Sequence, residues 1–517
     1  MSNKIYPIGI QNFEKIRQDG YFYVDKTALM YQMVKTGSYY FLSRPRRFGK
    51  SLLISTLEAY FQGKKELFTG LMVEKLEKDW IEHPILHLDL NIEKYDALES
   101  LDNILDKSLT AWEKLYGAEP SERSFSLRFA GIIERACQKT GQRVVILVDE
   151  YDKPMLQAIG NEDLQKQFRD TLKPFYGALK TMDGCIKFAL LTGVTKFGKV
   201  SVFSDLNNLK DISMDERFVD ICGITEKEIH DNLEEELHQL AEKQKMSYEQ
   251  VCAELKECYD GYHFMEHTIG IYNPFSLLNT FDKMKFGSYW FETGTPTYLV
   301  NLLKKHHYDL ERMAHEETDE QVLNSIDSES SNPIPVIYQS GYLTIKGYDE
   351  EFGIYRLGFP NREVEEGFVR FLLPYYANVN KVESPFEIQK FVREVRSGDY
   401  NSFFRRLQSF FVDTGYDVIR EQELHYENVL FIVFKLVGFY TKVEYHTSEG
   451  RIDLVLQTDK FIYVMEFKLN GTAEEALKQI NEKHYSLPFE ADNRKLFKVG
   501  VNFSSQTRNI EKWIVEE

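Results

Sequence analysis

Along the 517 residues, short runs of consecutive apolar side chains alternate with longer stretches whose apolar positions recur every three or four residues. The run Val144-Val145-Ile146-Leu147-Val148 is apolar throughout, Phe188–Thr192 repeats the style, and Tyr39–Leu42 and Ile85–Leu90 are further strand candidates. Amphipathic stretches lie between them, among them Lys50–Phe61 and Ser126–Thr140. A strand without a polar face needs cover on both sides, so this alternation predicts a parallel sheet between helices. From about Thr225 to Leu323 the pattern turns helical, with Glu- and Lys-rich segments at Thr225–Lys245 and Ser247–Tyr259. Short alternating runs over Gln339–Leu357 predict a small β element, and a mostly helical stretch runs on to about Tyr416. The end of the chain returns to α/β: a helix at Tyr426–Val437, strands at Arg451–Gln457, Phe461–Lys468 and Lys498–Phe503, and a helix at Ala473–His484. No repeat or linker punctuates the chain. The changes of pattern give expected domains at 1–224, 225–335, 336–420 and 421–517.

The length itself predicts two to four domains at roughly 150 residues each. With 43% hydrophobic and 14% aromatic residues the chain can build large cores, which excludes a disordered protein. The formal charge of -18 argues against the whole molecule acting as electrostatic glue for nucleic acid, and leaves room for a local basic patch. Five cysteines without a CxxC suggest neither a disulfide framework nor a zinc site. No apolar run approaches the roughly 20 residues of a membrane span, and the start lacks the apolar core of a signal peptide. A cytoplasmic protein without a membrane partner is expected; an oligomer is compatible with the sequence.

The first candidate chemistry follows the strand Tyr39–Leu42. Residues 43–51 read Ser-Arg-Pro-Arg-Arg-Phe-Gly-Lys-Ser and lead into a helix. Gly49-Lys50-Ser51 at a helix start suits a triphosphate: unpaired amides and the positive dipole end face the anion, Lys50 reaches the outer phosphates, and Ser51 can ligate Mg²⁺. The strict G-x-x-x-x-G-K-[ST] pattern fails because Arg44 holds the place of the first glycine. Ninety-nine residues beyond Lys50, the strand Val144–Val148 ends in Asp149-Glu150-Tyr151-Asp152. Asp149 is typed to hold Mg²⁺ and Glu150 to orient an attacking water, although such acids can also merely cap the next helix. The third strand ends in Thr192, typed to sense a γ-phosphate. Strand ends converging on one sheet edge are where an open α/β sheet binds ligands.

The second lies near the C-terminus, where Gly450-Arg451-Ile452-Asp453 precedes Glu466-Phe467-Lys468 and Gln479. Alternation along the strand places Glu466 and Lys468 on one face with Ile462 and Val464. A hairpin turning at Thr458-Asp459-Lys460 would bring Asp453, at the start of one strand, to Glu466, at the end of the next. Asp453 and Glu466 can hold Mg²⁺ through hard oxygen ligands, Lys468 can offset developing charge, and the helix Ala473–His484 brings Gln479 to the same edge. Glu427 could complete the metal shell, with Glu444 as the alternative. A salt-bridged hairpin is the plain structural reading of the same residues.

The N-terminal motifs resemble the AAA-ATPase-like family of bacterial, especially Bacteroidetes-type, proteins. The residues that carry it are Tyr23-Val24-Asp25-Lys26-Thr27, Arg44-Pro45-Arg46-Arg47-Phe48-Gly49-Lys50-Ser51, Leu147–Pro154, Leu191-Thr192-Gly193-Val194, Tyr259-Asp260-Gly261-Tyr262 and Tyr289–Gly294. The resemblance implies ATP binding by an arginine-rich cradle, with Arg44, Arg46, Arg47, Phe48, Gly49, Lys50 and Ser51 around the phosphates. The C-terminal motif resembles the PD-(D/E)XK nuclease superfamily, which implies catalytic roles for Asp453, Glu466, Lys468 and Gln479, with Tyr485 in the following helix motif. The expected fold is therefore α/β, a P-loop NTPase-like parallel sheet with a helical subdomain plus a restriction-endonuclease-like α/β domain. The expected function is ATP-linked, Mg²⁺-dependent cleavage of DNA. The alternative is a regulatory or scaffold protein whose nuclease-like domain binds DNA without cutting it.

Overall fold

The computed structural model describes residues 4–196, 203, 206–291, 297–324, 332–377, 379–380, 383–411, 419–448 and 451–517. Its contacts divide the chain into two compact units, Met1–Gly294 with Glu316–Glu363, and Thr295–His315 with Val364–Glu517.

The first unit is built on five parallel strands: Tyr39–Ser43 (β1), Ile85–Asp89 (β2), Val144–Asp149 (β3), Ile186–Gly193 (β4) and Lys210–Asp211 (β5). Their order is β2-β3-β4-β1-β5. Every residue of β1 and β3 is buried, as runs without a polar face require. Because all pairs are parallel, the strands end on one edge, and β4 separates the strand that leads into residues 44–51 from the strand that ends in Asp149. Ile224–Thr225 (β6) then pairs with Ile271–Tyr272 (β7), and the helices Glu226–Gln244 and Tyr248–Tyr259 lie between them in sequence. Both helices open with capping boxes, Thr225 with Glu228 and Ser247 with Gln250, which satisfy the orphan amides of their first turns. They pack with the helix Pro274–Lys283 around Leu233, Leu237, Val251, Leu255, Leu277 and Phe281. The expected small β element is a three-stranded antiparallel sheet of Glu317–Asp319 (β8), Thr344–Asp349 (β9) and Ile354–Gly358 (β10).

The second unit carries the sheet of Lys442–Ser448 (β11), Arg451–Gln457 (β12), Phe461–Leu469 (β13), Lys495–Ser504 (β14) and Asn509–Glu516 (β15), paired in chain order. All pairs are antiparallel except β13 with β14, which the helix Ala473–Glu482 connects. Ile462 and Val464 of β13 pack on Ile480 of that helix. From the opposite face of β13, Tyr463 donates to the Val395 carbonyl (2.8 Å) and Phe467 meets Phe434 edge-on. Two strands, β11 and β15, go beyond the expected set, and the helix expected at Tyr426–Val437 runs over Ile419–Gly438. No helix among the described residues is long and apolar enough to cross a membrane.

Candidate active sites

The cradle is a turn wrapped around its own lysine. After β1 the chain passes through Arg47 (φ 65°) and Gly49 (φ 97°), both in the left-handed region, before the helix Lys50–Phe61 begins. The side chain of Lys50 is buried, and its Nζ donates to the carbonyls of Arg44 (3.0 Å) and Pro45 (3.3 Å). The same ammonium lies 3.5 Å from Glu150 Oε1. A cation is thus fixed at the positive end of a helix, where only an anion is complementary.

The arginines of the turn divide their work. Arg44 was expected to face phosphate; its guanidinium instead points into protein, where it donates to the carbonyls of Ser43 (2.9 Å), Ser213 (2.8 Å), Phe218 (3.2 Å) and Val219 (3.5 Å). It lies 4.0 Å above the Phe264 ring, and burial pushes its pKa down to about 10. Four carbonyl acceptors explain why an arginine can stand where a glycine usually does: the side chain folds away from the cradle and ties it to a neighbouring loop. The Arg46 carbonyl accepts from Trp290 Nε1 (2.8 Å), and exposed Arg47 sits over Phe275 with 5.2 Å to the ring centroid. Phe48 is a core anchor against Tyr262 and Phe264, and Ser51 is the second residue of the helix, partly exposed.

Across the strand ends, Thr192 Oγ1 donates to Asp149 Oδ1 (2.6 Å), joining the two positions singled out on β3 and β4. Glu150 follows with φ 54°. Asp152, two residues further, is wholly buried and accepts from the backbone of Val194 and Thr195 and from the Thr195 hydroxyl. Sequence reasoning gave Asp152 no role; the available hint was a third acid, after Asp149 and Glu150, at the end of an apolar strand. Asp89 also went unnoticed, and it ends β2 in register with Asp149. Beside Gly49 lies an apolar cavity of about 100 Å³, lined by Phe22, Tyr23, Leu52, Leu53, Ile221 and Leu278 among others.

In the second unit, the hairpin forms in the expected register: Asp453 pairs with Glu466 and Arg451 with Lys468. Glu466 is fully buried, and Lys468 Nζ lies 2.9 Å from its Oε1 while donating also to Gln479 Oε1. The helix reaches this edge because Gly500 sits next to Glu466 in register; a Cβ there would stand 2.1 Å from the Ala473 carbonyl oxygen. Thr472 and Glu475 close a capping box that fixes the helix start. Tyr485 packs against the cluster formed by Ile462, Val464 and Ile480. Glu427 does not begin a helix as expected: it lies about two turns inside Ile419–Gly438 and is partly exposed. Glu444 stands on the edge strand β11, paired with Lys442 at 3.1 Å. Among the residues whose side chains are described, no group of three or more His, Cys, Asp and Glu forms a metal-holding cluster, and the Asp453 side chain lies outside that set.

The family model for a predicted AAA-ATPase matches residues 7–203, and the model for the PD-(D/E)XK nuclease superfamily matches residues 421–513. An uncharacterized protein in the vnfD 5' region of Azotobacter chroococcum mcd 1 is 35% identical over 532 residues, covering 100% of this chain and 99% of that protein. The chain belongs to this AAA-ATPase-like family with a C-terminal PD-(D/E)XK nuclease domain. No solved structure matches it. The AAA-ATPase-like match contains both the cradle and the acids of β3, and the nuclease match contains the β12–β13 hairpin and Gln479.

Proposed function

We propose that the first unit binds and hydrolyses ATP with Mg²⁺, that the second cleaves DNA phosphodiester bonds with Mg²⁺, and that the two activities are coupled. The trio of buried Glu466 with partly exposed Lys468 and Gln479, formed where Asp453 comes into register, carries the nuclease half. A carboxylate is costly to bury for packing alone.

The donor sets fit the groups they are proposed to hold. Glu466 and Asp453 offer the hard oxygens that Mg²⁺ prefers, as Asp149 and the Ser51 hydroxyl do in the first unit. Mg²⁺ supplies charge neutralisation and an activated water at each phosphate. The chain's own residues do the rest. Gln479 accepts from Lys468 and holds its ammonium beside Glu466, where it can offset charge on a pentacoordinate phosphate. Lys50, anchored by the carbonyls of Arg44 and Pro45, reaches the outer phosphates of ATP, while Glu150 orients the attacking water. Thr192 holds Asp149 in place. The apolar cavity beside Gly49 suits the flat face of a nucleobase and favours a nucleotide over inorganic triphosphate.

A plasmid-nicking assay with the full chain, with and without ATP and with EDTA as control, tests the reading. Metal-dependent nicking that disappears in Asp453→Ala, and whose ATP response disappears in Lys50→Ala, is the expected result. DNA binding without nicking in the wild type would assign the second unit to DNA binding alone.

A further inference from the structure

The turn between β3 and the next helix holds one of the most completely satisfied carboxylates of the first unit. Asp152 Oδ2 accepts from the Thr195 amide (2.6 Å) and hydroxyl (2.7 Å), and Oδ1 accepts from the Val194 amide (3.2 Å). Tyr151 strengthens the same joint, its amide donating to the Thr192 carbonyl (2.9 Å) and its hydroxyl to the Thr195 carbonyl (3.0 Å). The approach is close enough to demand glycine at position 193: a Cβ there would stand 2.5 Å from Asp152 Oδ1 and 2.7 Å from the Tyr151 ring. Within this joint Glu150 keeps φ at 54°, a conformation uncommon for residues other than glycine. Its carboxylate lies 3.5 Å from Lys50.

We propose that Asp152 is a positioning residue for ATP hydrolysis, clamping the turn onto the exit of β4 so that Glu150 is held in its left-handed conformation at Lys50. The inference rests on the reading of Glu150 as the residue that orients water. All three partners of Asp152 are donors, so only a group that accepts everywhere fits. A neutral amide of the same shape would turn an NH₂ against another donor. Burial pushes the pKa of Asp152 up to about 6, with the Glu150 charge adding to the rise, so ionisation of this carboxylate is tolerated for the bonds it makes. The clamp also reaches forward in the chain. Lys196, the next residue, pairs with Asp211 (2.9 Å), so the exit of β4 is fastened on both sides.

Steady-state ATP turnover of the full chain, with kcat and KM separated, tests this in Asp152→Asn, Thr195→Ser and Thr195→Val, alongside amide hydrogen exchange. The expected result is a kcat lowered about 10- to 100-fold in Asp152→Asn with KM changed by no more than about twofold. Exchange should rise at Val194 and Thr195 while the helix Lys50–Phe61 stays protected. Thr195→Ser keeps the hydroxyl donor and should match the wild type; Thr195→Val should fall between, and it serves as the test if Asp152→Asn does not fold. Unchanged kcat in Asp152→Asn overturns the proposal, as does a loss of kcat, ATP affinity and global protection together, which marks a purely structural residue. A wild type that releases no phosphate removes the hydrolytic reading and this inference with it. A wild type that turns ATP over while Asp152→Asn does so equally well leaves the reading standing and removes only the role of Asp152.

Discussion

The two candidate sites gather a lysine and carboxylates at the edge of a sheet by opposite means. The cradle is contiguous in sequence, residues 44–51, and its working surface is largely backbone: Lys50 is held by carbonyls, and Gly49 leads straight into the helix. The nuclease core is spread over Glu466, Lys468 and Gln479, side chains that meet because one strand puts two of them on one face and the following helix brings the third, with Asp453 placed opposite Glu466 by strand register. A backbone site tolerates a surprising side chain, as Arg44 shows, so long as the turn keeps its shape. A side-chain site tolerates variable turns and fails with a single lost group or a one-residue slip.

The largest effect should come from removing a register-placed carboxylate. Asp453→Ala is expected to lower DNA cleavage by about 10³-fold or more while ATP turnover stays at the wild-type value. Parallel nicking and phosphate-release assays check it; loss of both activities would erase the contrast between the sites. Lys50→Ala comes next. Losing one charge-assisted contact to phosphate should weaken ATP binding about 10- to 100-fold, read by displacement of a fluorescent analogue, and leave nucleotide-independent cleavage intact.

The same contrast explains what the sequence disclosed. The buried strands β1, β3 and β4 were legible because unbroken apolar runs have few other uses, and the hairpin register followed from alternation about a short turn. The edge strands β11 and β15 were not. Lys442-Val443-Glu444 and Ile510-Glu511-Lys512 carry the charges that keep sheet edges from pairing further, and those charges mask the strand pattern. Arg44 reads as a phosphate ligand because charge is visible in sequence, while the four carbonyls that engage it come from residues 43 and 213–219. Asp152 was hidden for the same reason, since its partners lie more than forty residues away.

A smaller effect should follow from moving the helix without touching the trio. In Gly500→Val the added side chain would meet the Ala473 carbonyl and, at 2.6 Å, the Leu477 amide, both backbone atoms that cannot step aside. The helix must shift, at a cost of about 1–3 kcal/mol, and Gln479 moves with it away from Lys468. Cleavage is expected to fall about tenfold, less than in Asp453→Ala, because the metal-holding positions stay in place. A melting curve with a lowered midpoint and a nicking assay read the two consequences; unchanged cleavage would show that the Lys468–Gln479 bond does not serve the chemistry.

The smallest effect is one of pH, and it belongs to the cradle. Asp152 is pushed up to about 6 by burial and then by the Glu150 charge, against the pull of its Thr195 bonds and of Lys50; Tyr151 and Tyr176 also border it. The clamp needs the ionised form, because a protonated oxygen can no longer accept from every donor around it. The ionised form prevails above about pH 6 and is lost as pH falls through that value. Relative to pH 8, ATP turnover should therefore halve at about pH 6 and fall about tenfold by pH 5, with KM little changed. Cleavage measured without ATP should not share this limb, since Asp152 belongs to the first unit. In Asp152→Asn the residual turnover should lose the limb altogether. A limb that survives this substitution would place the titrating group elsewhere.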